Sequence, residues 1–121
     1  MKRNDLQERL IQFAVDVTSI CEQLPNSYTA NYLSNQLTRS AISPALNYGE
    51  AQVAESRRDF IHKLKICLKE LKETEVSIEV ISRKKYSGLS NLEKVKKEVN
   101  ELISILIKSI QTSRKPTLQK S

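Results

Sequence analysis

Apolar residues recur along this chain at alternating steps of four and three. Leu6, Leu10, Phe13, Val17, Ile20 and Leu24 form one such series, and Phe60, Leu64, Cys67, Leu71, Thr74, Ile78 and Ile81 form a longer one. The mean step is close to the α-helical repeat, so each series is a single stripe on a helix packed in a bundle. A strand needs a period of two, and no stretch offers it.

Four helices follow from the stripes and their punctuation. Asn4 or Asp5 can cap the first, which Pro25 and Asn26 stop. Ser27 can cap a second, from about Tyr28 to Ala54, with Leu33, Leu37, Ala41, Ala45 and Tyr48 on its stripe and Ile42 and Leu46 widening it. Pro44 falls inside that stripe, and a kink is expected there because the period continues past it. The third helix starts after Ser56, with Asp59 in the capping-box position, and ends in Arg83, Lys84 and Lys85, followed by Ser87 and Gly88. The fourth begins after Asn91 and carries Val95, Val99, Leu102 and Leu106, with Ile103, Ile107 and Ile110 beside them. That second apolar face is more than one bundle stripe needs, and predicts self-association. Short connections force neighbours to run antiparallel. The expected fold is all-α, an antiparallel up-down-up-down four-helix bundle over 1–112, with a basic tail over 113–121 expected to be disordered.

A chain of 121 residues suits one domain, and only two Gly and three Pro leave too few turn signals for a sandwich or barrel. No apolar run approaches the roughly 20 residues that span a bilayer, so a soluble, cytoplasmic protein without a membrane partner is expected. Cys21 and Cys67 have no CxxC spacing and read as buried thiols of a reducing compartment. His62 is the only histidine, with no triad spacing and no second Asp-x-x-His to build a di-metal site, and the two glycines make no phosphate loop. Catalysis, a cofactor, a metal and a small-molecule substrate are therefore not expected.

Arg39, Ser43, Asn47 and Glu50 are spaced by four, four and three, which places them on one face of the second helix. That face is either solvated or turned toward helix three. A hairpin about Glu55 sets Arg39 level with Leu71, flanked by Glu70 and Glu73, close enough for an ion pair with either carboxylate.

The stretch Leu37-Thr38-Arg39-Ser40-Ala41-Ile42-Ser43-Pro44-Ala45-Leu46-Asn47-Tyr48-Gly49-Glu50-Ala51, with Phe60, Leu64, Leu68, Lys69, Glu70, Leu71 and Glu73, resembles the signature of a bacterial four-helix-bundle family. That family is named for proteins encoded within intervening sequences of 23S ribosomal RNA genes, and the likeness spans about residues 6–110. Gly49 precedes Glu50 here, where the family more often has a Glu-Gly order. The resemblance implies a bundle, assembly as a homo-oligomeric ring such as a pentamer, and a link to RNA; it implies no reaction. The chain is also similar to the accessory protein of diversity-generating retroelements, a basic bundle that binds nucleic acid and a reverse transcriptase.

The formal charge is +6, and residues 113–121 hold three basic residues and no acidic one. A second cluster, Arg83, Lys84, Lys85, Lys94, Lys96 and Lys97 with Tyr86 among them, offers phosphate contacts and a ring on which a base can stack. Helix three adds Arg57, Arg58, Lys63, Lys65, Lys69 and Lys72, which could equally form an ordinary solvated face with pairs such as Lys69–Glu73. Two functions stay open: an RNA-binding homo-oligomer, whose contacts would centre on Arg83, Lys84, Lys85, Tyr86, Lys94 and Lys97, and a protein–protein scaffold without nucleic acid.

Overall fold

The computed structural model describes residues 3–114, and every regular element in that range is a helix: α1 (Arg3–Cys21), α2 (Tyr28–Ala51), α3 (Arg57–Lys84) and α4 (Leu92–Arg114). Each helix packs on two neighbours, α1 on α2 and α4, and α3 on α2 and α4; the diagonal pairs do not meet. Paired side chains give the directions. Ser40 meets Thr74, Pro44 meets Cys67 and Glu50 meets Lys63, so positions rise along α2 as they fall along α3. Arg9 with Glu98, Asp16 with Lys94 and Gln23 with Ser90 give the same antiparallel sense to α1 and α4.

The sequence stripes line the interior. Leu10, Val17, Leu64, Cys67, Leu71, Leu102 and Leu106 are fully buried, as is Phe13 at 1% exposure. The Ser27 and Ser56 side chains accept hydrogen bonds from the amides of Ala30 and Asp59, holding the first turns of α2 and α3. α2 runs unbroken through Pro44.

Several boundaries differ from expectation. Asn4 and Asp5 lie inside the first turn of α1 and do not precede it. The chain leaves α1 at Cys21, short of Leu24, through tight bonds from Gln23 N to the Ile20 carbonyl and Leu24 N to the Cys21 carbonyl. α2 stops at Ala51 because Gln52, Val53 and Ala54 close its last turns with similar short-range bonds. Lys85, at φ 60°, takes the left-handed position that ends α3. Ser113 and Arg114, assigned to the tail on sequence, are the last residues of α4; 115–121 lie outside the described residues.

The surplus apolar face of α4 is used within one chain. Ile103 and Ile110 are buried, and only Ile107 stays open, at 39%. Exposed apolar side chains gather elsewhere: Ile11 and Val15 on α1, Ile42 and Leu46 on α2. The Gln7 Nε2 hydrogen bond to the Ala45 carbonyl sets the register of this seam, so Ile11 and Ile42, each about one turn further on, stand at one level.

Candidate functional site

The predicted site residues fall in two polar regions: the seam between α2 and α3, and the bundle end where α3 passes into α4. On the seam, Arg39 Nη1 lies 2.9 Å from Glu70 Oε1, and Nη2 lies 2.6 Å from Glu73 Oε1. The fork thus holds two carboxylates one turn apart. Glu70 is buried, whereas the Arg39 side chain is 50% exposed. The hydrogen bond to Glu70, then that to Glu73, raises the pKa of the guanidinium. Further down the seam Lys63 Nζ reaches Glu50 Oε1 at 2.6 Å, and that hydrogen bond raises the lysine's pKa.

Beneath these pairs the seam is buried. The hydroxyls of Ser40 and Thr74 lie 2.9 Å apart, both within 1% of full burial. The Cys67 thiol donates to the Pro44 carbonyl at 3.3 Å, and burial pushes its pKa up to about 12, leaving an unreactive neutral thiol. Burial raises the Cys21 thiol as well. Asn47 stays out of the inter-helix network: its amide donates to the carbonyl and hydroxyl of Ser43, one turn back on its own helix.

At the α3–α4 end, Arg83 pairs with Glu79 at 2.8 Å, and that bond, followed by the Lys96 charge, lowers the Glu79 pKa. Lys94 reaches Asp16 on α1 at 3.2 Å. Lys84, Lys85 and Lys97 are not buried, and among the described residues none of the three forms an ion pair. The Lys84 ammonium stands 6.0 Å from the centre of the half-buried Tyr86 ring. The cluster is therefore mixed, with Arg83 and Lys94 partly neutralised and three lysines unpaired.

The Arg39 seam, with Glu70 and Glu73 opposite, lies within the part of the chain that has known kin. The family described as 23S rRNA-intervening sequence protein matches residues 2–108. The chain belongs to that family. A solved structure of a protein of unknown function from the S23 ribosomal protein family of Bacteroides thetaiotaomicron is 35% identical, with a TM-score of 0.81 over 92% of this chain and 99% of that one. No curated protein matches the chain. The 23S rRNA-intervening sequence family is not a known enzyme class, and the solved relative adds no activity. Among the described residues of this family member, no three His, Cys, Asp or Glu side chains converge to hold a metal. No helix of its described residues is long and apolar enough to cross a membrane.

Sequence reasoning missed the ion cluster that closes the bundle. Arg9 forks onto Glu98 with bonds of 2.9 and 2.6 Å and reaches Glu101 at 3.1 Å. The only signal for it is an Arg flanking the α1 stripe, with partners about 90 residues away in sequence and no short hairpin to set the level. The Lys69–Glu73 pair considered for α3 does not form either; Glu73 pairs with Arg39 across the seam.

Proposed function

We propose that this protein is a non-enzymatic, homo-oligomeric bundle that binds RNA through the basic end formed by Arg83, Lys84, Lys85, Tyr86, Lys94 and Lys97. The observation that carries this reading is where the carboxylates go. Glu70 and Glu73 are held by Arg39, Glu50 by Lys63, and Glu98 and Glu101 by Arg9. Five carboxylates are thus held by three cations between helices, and at the basic end Lys84, Lys85 and Lys97 are left facing water. Lys84 and Lys85 sit at a rigid helix end, so binding there orders little chain. The family's tie to 23S ribosomal RNA genes supports the same partner class.

Self-association is the second element. Ile11, Val15, Ile42 and Leu46 are 38–62% exposed on adjoining flanks of α1 and α2, and a second copy would cover them. Light scattering should report a multiple of the 13.8 kDa chain; a value near 13.8 kDa at tens of micromolar would remove the oligomer. The same strip favours the rival reading, a protein scaffold.

Co-purification with and without nuclease, followed by sequencing of retained RNA, tests the main reading. Replacing Arg83, Lys84 and Lys85 together with Ser should weaken binding and lower its log–log salt slope by about one unit for each phosphate no longer neutralised. A chain ended after Arg114 should bind nearly as well as the full one. Partner capture that survives nuclease and hardly responds to salt would support the scaffold instead.

A further inference from the structure

The outward face of α3 carries Arg58, Lys65, Lys69 and Lys72, a row about 21 Å long at the helical rise. Its upper half borders a groove of about 640 Å³ between α2 and α3, walled by Tyr32, Gln36, Lys69, Lys72 and Val76. Tyr32 is 57% exposed, though a phenol ring would gain by packing inward, and Val76 beside it is 63% exposed. The carboxylate in that wall, Glu73, is tied to Arg39 at 2.6 Å. Neither Lys69 nor Lys72 forms an ion pair among the described residues, so two unpaired lysines line the same groove as an open aromatic ring.

We propose that this groove takes one nucleotide step of single-stranded RNA: a base stacks on Tyr32, Gln36 meets its edge, and Lys69 and Lys72 meet the flanking phosphates. The proposal rests on the RNA reading above and adds a second binding surface to it. Charge complementarity selects the occupant. An apolar protein helix seated here would bury two unpaired ammonium groups, which is costly, whereas a phosphate strand neutralises both. The ring selects single strands, because duplex RNA keeps its base faces stacked and out of reach. Arg39 acts through its neighbours: by occupying Glu73 it leaves Lys69 and Lys72 free for the strand.

The test is fluorescence anisotropy of the full chain with a labelled oligouridine of about 12 nucleotides, and with an RNA hairpin as duplex control, over a salt series. Tyr32→Ala should weaken oligouridine binding roughly 5- to 100-fold with an unchanged salt slope, and Tyr32→Phe should bind like the parent. Lys69→Ser with Lys72→Ser should lower the slope by about 1.4 units, at about 0.7 for each phosphate of a single strand. Hairpin binding should not respond to Tyr32→Ala. All these side chains are on the surface, and unchanged circular dichroism establishes that the variants fold. If the groove variants bind oligouridine as the parent does while the Arg83, Lys84 and Lys85 triple Ser variant does not, the groove assignment is overturned and the RNA reading stands. If Tyr32→Phe weakens binding as much as Tyr32→Ala, the stacking role is overturned. If the parent fails to hold either probe at low salt, the RNA reading falls and takes the groove with it.

Discussion

Toward α1, helix α2 presents no charge: Ala45 accepts a hydrogen bond through its carbonyl from Gln7, and Ser34 and Thr38 lie near Cys21. Toward α3 it sends both charged residues of its 24, Arg39 and Glu50, and each finds its partner on that helix. One seam is closed by apolar packing with uncharged polar contacts; the other adds ion pairs over a buried hydroxyl pair. Apolar packing tolerates a shifted register, whereas a fork that must meet Glu70 and Glu73 together tolerates little. The exteriors differ for the same reason. Beside the uncharged seam Ile11, Val15, Ile42 and Leu46 stay open, and beside the ionic seam the lysines of α3 do.

The buried thiols offer the largest test of this difference, one on each seam. Folding holds Cys67 neutral up to about 12, against an ordinary value of 9.0. Because the folded value is the higher one, the thiol has no effect on stability below about pH 9, and stability falls as pH rises from there toward 12. Three units correspond to roughly 4 kcal/mol of stability gone by pH 12. Urea unfolding across an alkaline pH series should show this limb, and Cys67→Ala should flatten it more than Cys21→Ala. Equal flattening by the two would mean that both seams exclude water alike.

A smaller effect separates the two arms of the Arg39 fork. The bond to Glu73 is the shorter, 2.6 Å against 2.9 Å, but the Glu73 side chain is 42% exposed and that of Glu70 only 12%. Coulomb energy varies little over so small a difference in distance and much with the local dielectric, so burial decides. Double-mutant cycles of Arg39→Met with Glu70→Gln and with Glu73→Gln, read by urea unfolding, should give the larger coupling energy for Glu70. A larger coupling for Glu73 would show that distance outweighs burial on this seam. Added salt should erode the Glu73 coupling first.

The helices are legible because their period is local: each stripe carries its own evidence, and Ser27 and Ser56 mark two starts without outside help. The juxtaposition of Arg39 with Glu70 and Glu73 can be reached by counting from a short hairpin, since antiparallel neighbours share a level. The same counting has no purchase on Arg9 and Glu98, which join the first helix to the last. Nor does a residue type say whether it turns inward or sideways. Asn47 shares the Arg39 face, yet its amide is satisfied by Ser43 on the same helix. Ile103 and Ile110 count as surplus on α4 until the width of the core is known. In the sequence Tyr32 is like any Tyr of an α2 flank, and only the open groove beside Lys69 and Lys72 sets it apart.

The smallest expected effect concerns Gly49, in the last turn of α2 on the side of α1. A glycine inside a helix costs about 0.5–1 kcal/mol relative to alanine, through the entropy of the unfolded chain. Whether alanine recovers that depends on the room beside it. A Cβ built there would lie 3.5 Å from Gln7 Oε1, an ordinary approach to the end of a flexible side chain, and the helix demands no positive φ at this position. Gly49→Ala should therefore raise stability by about 0.5–1 kcal/mol, measured by thermal or urea unfolding. It should leave the Gln7 bond to Ala45 in place. A loss of stability would mean that the α1–α2 seam is packed too closely to take one methyl group. The contrast between a tolerant uncharged seam and a register-fixing ionic one would then rest on the ion pairs alone.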